Sequence, residues 1–482
     1  MALEAASIVV LAVAVVSICL IANTVRSRNN NGADAKPPHP PSWPIFGHIP
    51  LLKRYGPIMH LQLGFRPVLV ISSSELTKEC LTTNDKAFAS RPLLSVGKHA
   101  GYDFKMLDLA PYGSYWRSVR KLCRLQLFTA QRIESFKNIR EGEISGLIRS
   151  LFESCQREIS PVNIKSRLSD LTCNIMMRIV ASKRFSPDLS PQDFQEVQYF
   201  KEMMEETVLL LGTFDIAHYL PFLKWVDPQG MVLAMENLQK KRELFMDKLL
   251  HDHREKRDNK EIQSDNNDDV VKANALAIII AGAETSYVTI EWALSALMQH
   301  PDVLCKAQQE LDMHVGRDRL MEESDIPKLK YLQAIVKETL RLYPGAPLMI
   351  PHEACEDCTV GGYRVHAGTQ LLVNVWAIQR DAAVWERPTE FDPKHFLKSG
   401  KEIDVKGQDF ELIPFGSGRR MCPGMALAMI MINHTLGRLL QSFEWFVPEG
   451  TVIDMTEGLG LSLPKSIPLE AIIKPRLPLH LY

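Results

Sequence analysis

Phe415-Gly416-Ser417-Gly418-Arg419-Arg420-Met421-Cys422-Pro423-Gly424 is the stretch on which the reading of this chain turns. One cysteine stands in a glycine-rich loop, and an apolar run of helical character, Met425 to Leu440, follows it directly. A thiolate at the start of a helix is stabilised by the helix dipole and by backbone N–H groups without a partner inside the helix. Gly418 and Gly424 permit turns that a Cβ would obstruct, so a flat group and the backbone can come close. Arg420 can pair with a carboxylate, and Phe415 can screen the sulfur from water. The loop therefore suits an anionic sulfur ligand. The alternative is a buried structural cysteine.

The loop resembles the haem-binding loop of the cytochrome P450 family, Phe-x-x-Gly-x-Arg-x-Cys-x-Gly. The resemblance makes Cys422 the axial thiolate of a haem b iron, Arg420 a partner of a haem propionate and Phe415 a shield over the ligand. Gly418 and Gly424 then belong to the cofactor cradle. Three further motifs occur in the family's order. Trp116-Arg117-Ser118-Val119-Arg120 matches Trp-x-x-x-Arg, and helical i,i+4 spacing puts Trp116 and Arg120 on one face. In the family both meet a propionate.

Ala281-Gly282-Ala283-Glu284-Thr285-Ser286 interrupts a long apolar helix expected from about Val270 to Gln299. Burying a carboxylate is costly without partners, and a hydroxyl or water entering the helical hydrogen-bond ladder can kink it. The segment resembles the one that crosses the distal face of the haem, which assigns proton delivery to Glu284 and Thr285. Glu338-Thr339-Leu340-Arg341, followed by Tyr343-Pro344, resembles the family's Glu-x-x-Arg, a structural pair behind the haem. His352 falls where relatives place a residue that reaches a propionate. Taken singly, each of these patterns also suits an ordinary surface helix or a surface histidine. Phe391-Asp392-Pro393-Lys394-His395-Phe396 stands where the family has Phe-x-Pro-Glu-Arg-Phe. Histidine donates at most two hydrogen bonds against arginine's five, so a weaker network is expected around Glu338 and Arg341.

The whole chain of 482 residues is 46% hydrophobic and 23% charged with net charge −1, which is globular and gives no reason for nucleic-acid binding. Nine cysteines, an odd number spread widely, suit a reducing compartment rather than a disulfide framework. Cys355 and Cys358 form a C-x-x-C without a second pair, so a metal or redox role is not expected. Leu3 to Val25 is apolar and matches the ~20 residues that span a bilayer. Glu4 precedes the span while Arg26 and Arg28 follow it, which places the remainder in the cytosol. A signal peptide cleaved near Ala22 is the rival reading. The expected division is a membrane anchor at 1–28, a polar and proline-rich hinge at 29–50 and a haem-thiolate catalytic domain at 51–482.

Local patterns predict a hairpin over Tyr55 to Ile71, a short helix over Glu75 to Thr82, a loop over Leu93 to Ala110 and mostly helix from Phe128 to about Arg257. Asp258 to Asp269 reads as loop, and Val360 to Trp376 as hairpin strands. The resemblance implies an α+β, mostly α-helical cytochrome P450 fold around one buried haem. A small β-rich part lies near the N-terminus, preceded by one transmembrane helix. Asn84 to Pro92 and Glu356 to Tyr363 resemble the plant branch that oxidises alkaloids, flavonoids and terpenoids and includes nicotine demethylases.

That branch implies hydroxylation or oxidative demethylation of a small apolar or aromatic metabolite with O2, in a single-pass protein of the endoplasmic reticulum membrane. Electrons would come from NADPH through a separate NADPH–cytochrome reductase, since the chain carries no flavin or nicotinamide motif; Arg117, Lys121 and Arg124 are candidates for its docking surface. Leu93 to Ala110, Leu209 to Phe214, Ala277 to Ala281, Ala346 to Ile350 and Gly458 to Leu461 are the expected pocket segments. Two departures stand out. Only Leu51 to Arg54 separates Pro50 from Tyr55, where relatives carry a helix, and a segment before the distal helix is missing. A catalytically impaired or mis-spliced paralogue, and a haem-thiolate isomerase or dehydratase, are the alternatives.

Overall fold

Two short apolar runs, β1 (Ile58–Leu63) and β2 (Arg66–Ile71), pair as the expected antiparallel hairpin. The computed structural model describes residues 56–157, 160–184, 191–255, 265–397, 403–458 and 460–482. The expected anchor and hinge, and the first short segment, lie outside the described residues. The predicted helix after the hairpin is Ser74–Lys78, capped by the Ser73 hydroxyl and continued as one π turn through Thr83. Within the stretch expected as loop, Ser95–His99 is helical.

Helix α1 (Ser114–Leu127) buries Trp116, Val119 and Cys123, one stripe at 3- and 4-residue spacing. Its opposite face leaves Arg117, Lys121 and Arg124 exposed. Helices α2 (Lys137–Arg157), α3 (Ile164–Ala181), α4 (Pro191–Gly212) and α5 (Met231–Glu255) fill the predicted helical region, with a two-residue strand β3 (Val162–Asn163) between the first two.

Helix α6 (Asp265–Gln299) starts five residues before the expected Val270. Acidic residues favour a helix N-terminus, and Asp268 there takes two bonds from Arg254 of α5, at 2.6 and 3.0 Å. The helix is then buried on nearly every side from Tyr287 to Leu297. It packs on α3 and on α7 (Pro301–His314), α8 (Lys330–Leu342) and α9 (Met425–Ser442). It is long and apolar enough to cross a membrane, but its burial makes it the core helix. Trp292 is fully buried and stacks on Tyr343 at 4.0 Å. Burying a large apolar side chain of this kind stabilises the fold by about 1.5–3 kcal/mol.

The later strands are only partly those expected. Strands β5 (Cys358–Val360) and β6 (Tyr363–Val365) form a hairpin, after β4 (His352–Glu353). β7 (Gln370–Val373) leaves that hairpin and joins the N-terminal sheet, parallel to β2 with Leu69 opposite Leu371. The sheet order is β1-β2-β7-β4. A second sheet pairs β9 (Glu470–Pro475) with β3 and β8 (Phe443–Phe446).

Candidate functional site

The cysteine loop closes on itself through Cys422 N–H donating to Phe415 O at 2.9 Å. Phe415 is half-buried at the edge of the core. The Cys422 side chain is solvent-accessible, yet protein surrounds it closely enough that burial pushes its thiol pKa up. The backbone N–H groups of Gly424 and Met425 and the Arg120 guanidinium pull the other way. The sulfur thus looks into an interior space at the first turn of α9.

The two glycines play different local parts. Gly418 has φ +67, and a Cβ there would lie 2.4 Å from Asp85 Oδ1 and 2.6 Å from Leu81 O. Its freedom seats the loop on the 79–85 turn. Arg419 strengthens that seat: its N–H donates to Asp85 Oδ1 at 2.9 Å and its Nε pairs with Oδ2 at 2.8 Å. Gly424, at φ −90, has only ordinary contacts, with Phe128 at 3.5 Å and Cys422 Sγ at 4.0 Å from a built Cβ.

Beside the loop, cationic side chains converge on Trp116. The Arg420 guanidinium lies 4.2 Å from the centre of the indole and that of Arg120 lies 6.0 Å away. Arg420 donates to Ala89 O at 2.6 Å and Ala110 O at 2.7 Å, Trp116 Nε1 to Leu107 O at 3.2 Å, and Arg120 to Met421 O. Burial, with Arg91 and Arg120 nearby, lowers the Arg420 pKa to about 9. His352 is buried and pairs Nδ1 with Phe88 O at 2.8 Å; desolvation and the charges of Arg91 and Arg420 hold its pKa well below the usual range. It is therefore neutral, with Nδ1 donating.

Sequence reasoning missed Arg91. Its guanidinium ties Asp108 O, Ile350 O and Pro351 O together, at 3.1, 2.6 and 2.9 Å. The signal was an arginine before a proline inside the quoted Asn84 to Pro92 segment.

On α6 the Thr285 hydroxyl donates to Ala281 O at 2.7 Å, while the helix stays α throughout. Ala281 is exposed and Thr285 half-exposed in the middle of an otherwise buried helix, so this stretch also faces an interior space. Glu284 points elsewhere: it is buried against Ser462, whose hydroxyl donates to Oε1 at 3.0 Å.

Two of the expected pocket segments, Leu209 to Phe214 and Gly458 to Leu461, meet directly, and contacts beside the others bring them close to α6. Asn274 of α6 accepts from Leu107 N at 2.9 Å. A Cβ at Gly212 would crowd Leu461 N at 2.5 Å, and one at Gly345 would lie 3.6 Å from Thr285 Cβ. A separate cleft of about 550 Å³, lined by His300, Tyr331 and Arg387 among others, shares no residue with these segments.

The family profile Cytochrome P450 matches residues 37–469. The chain belongs to the cytochrome P450 family. It is 41% identical over 485 residues to a xanthotoxin 5-hydroxylase of Arabidopsis thaliana, covering 92% of this chain and 93% of that one. To a demethylepipodophyllotoxin synthase of Sinopodophyllum hexandrum it is 40% identical over 486 residues, with 93% of each chain covered. Among solved structures, a zebra fish cytochrome P450 with progesterone superposes with a TM-score of 0.74 at 26% identity, over 88% of this chain and 98% of the other.

As a cytochrome P450 the protein is a monooxygenase whose family cofactor is a haem held through a thiolate, and it works with O2 and a redox partner. Behind the site, this P450 buries Glu338 and Arg341 completely in a two-pronged pair at 2.7 and 2.7 Å. The remaining Arg341 donors reach Gln379 O, Pro388 O and Glu390 O at 2.9, 2.7 and 3.0 Å. The pair therefore fastens the 379–390 segment rather than touching the interior space.

Proposed function

We propose that this cytochrome P450 is a membrane-anchored haem-thiolate monooxygenase that hydroxylates or oxidatively demethylates a small apolar or aromatic plant specialised metabolite, an alkaloid, flavonoid or terpenoid. The observation that carries the reading is the Cys422 sulfur, accessible yet interior, with backbone N–H groups behind it.

The surrounding residues fit a haem. Arg91, Arg120 and Arg420 gather excess positive charge in a buried place, with Asp108 as a neighbouring carboxylate whose own pKa is pushed up by burial. Two propionates would balance that charge. Arg420 and Arg120 would hold them and Cys422 would ligate the iron. Trp116, whose N–H goes to Leu107 O, would pack against both guanidinium groups. The neutral His352, whose N–H goes to Phe88 O, has no donor left for a propionate. A haem bound there supplies O–O bond cleavage, favoured by the electron density that a thiolate pushes to iron. Thr285 presents a hydroxyl from the distal helix, and Glu284 is the carboxyl that feeds it protons. The segments around them are largely apolar, which orients an apolar substrate and limits water.

Electrons would come from NADPH through a separate reductase; the exposed Arg117, Lys121 and Arg124 on α1 support an acidic docking partner. An endoplasmic reticulum membrane setting is supported by an exposed aromatic cluster. Trp225 is 86% and Phe65 59% exposed, and Phe65 meets Phe222 edge to face at 6.4 Å. Aromatic residues favour the membrane interface.

The test is the spectrum of reduced protein under carbon monoxide, which should show the long-wavelength band of thiolate-bound haem. Cys422→Ala should lose haem. A Cys422→Ala protein with an unchanged spectrum would overturn the reading.

A further inference from the structure

Neighbouring residues on a helix point about 100° apart, and Glu284 and Thr285 use that angle. Thr285 faces the interior space. Glu284 faces the C-terminal segment, where it accepts from the Ser462 hydroxyl at 3.0 Å. Beyond it stand the half-buried Lys165 and the exposed Glu205, 3.9 Å apart. Two more bonds fasten the same segment to α6: Trp292 Nε1 donates to Leu463 O at 2.7 Å, and Leu469 N donates to Glu291 Oε1 at 2.8 Å.

The tip of this segment presses on the end of α4. A Cβ at Gly212 would meet Leu461 N at 2.5 Å and Gly460 C at 2.6 Å, so the backbones are in direct contact. Both ends of that contact belong to the expected pocket lining.

We propose that Ser462 is a positioning residue that couples occupancy of the substrate pocket to the orientation of Glu284. While Ser462 holds the carboxyl, it is kept away from Thr285. A ligand that shifts the Gly460–Leu461 tip breaks the Ser462 bond and frees the carboxyl to turn toward Thr285. This inference rests on the monooxygenase reading, in which Glu284 and Thr285 deliver protons. No covalent bond changes in the step; one hydrogen bond is exchanged for a rotation.

The experiment is infrared spectroscopy of the full-length haem-loaded protein. Burial raises the Glu284 pKa, so its protonated C=O band is observable at mildly acidic pH, and Glu284→Gln identifies it by loss. The probe is clotrimazole, a bulky aromatic azole. In the wild type the band should shift upward on adding the probe, as a hydrogen bond to the carboxyl is lost. Ser462→Ala should show the shifted band without the probe and no further change with it, whereas Ser462→Thr, which keeps the hydroxyl, should behave as wild type. Should Ser462→Ala fail to bind haem, Ser462→Cys keeps the shape with a weaker donor, and its band should start part-way shifted and move less. An unshifted band in ligand-free Ser462→Ala, a wild-type band position in ligand-free Ser462→Cys, or no shift on adding the probe to the wild type would overturn the inference. A missing thiolate band under carbon monoxide would instead sink the monooxygenase reading itself, so the two failures are distinct.

Discussion

His395 Nδ1 stands 3.1 Å from Glu338 Oε1, and the other ring nitrogen stands 2.6 Å from Glu386 O. Both partners only accept, so both ring nitrogens must donate and the ring is an imidazolium. The bond to Glu338 raises the His395 pKa, against an opposing desolvation effect. Glu338 also accepts from Arg341 and from Asp392 N at 2.9 Å, while Trp385 packs on both the Arg341 and His395 side chains. Histidine here uses its full donor capacity, where the sequence predicted a weaker network than an arginine would give.

Stability should therefore depend on this histidine's charge. A pKa raised on folding contributes stability that is fully present below the unfolded value and is lost as pH rises through the folded value. The melting temperature of the haem-loaded protein should fall as pH rises from the ordinary histidine range through the raised folded value, and His395→Arg should remove most of that fall. An identical pH profile in His395→Arg would show that other groups set it.

Breaking the pair beside it should be far more damaging. Glu338 and Arg341 have no side-chain exposure, and removing one partner of such a buried pair typically costs 3–5 kcal/mol. Glu338→Ala should prevent recovery of haem-loaded protein, measured as the carbon monoxide band per unit protein. Normal haem content in Glu338→Ala would contradict this.

Gly418→Ala combines a left-handed backbone with a collision against Asp85 and Leu81 O. The strain should cost roughly 1–3 kcal/mol and lower haem retention. Asp85→Ala alone should cost less, since the Asp85–Arg419 ion pair is partly exposed. The double variant should recover only part of the loss, because the Leu81 carbonyl remains. Additive effects in a double-mutant cycle would show that the two positions do not meet.

Thr285→Ala removes the hydroxyl of the distal helix without adding bulk, so haem binding and reduction should survive. NADPH consumption should continue while product falls ~100-fold and hydrogen peroxide rises. Coupling equal to wild type would favour the isomerase or dehydratase reading.

Deleting residues 1–28 should weaken sedimentation with liposomes without abolishing it, because Phe65, Phe222 and Trp225 remain. Replacing those three with serine in the shortened protein should release it. Complete release by the deletion alone would remove the aromatic cluster from the account.

The sequence by itself determined the chemistry that depends on spacing along the chain: the Cys422 loop opening a helix, Trp116 and Arg120 on one helical face, and Glu338 with Arg341 one turn apart. These are local geometry, and local geometry is written in residue order. Tertiary structure alone decided which groups meet across the chain. Ser462 reaches Glu284 from 178 positions away and Arg91 reaches Ile350 from 259. Strand β7 lies parallel to β2 instead of extending the nearby hairpin, and Gly418 answers to Asp85. Such partners depend on how helices and sheets pack, and serine, arginine and aspartate carry no periodic signal that would announce them.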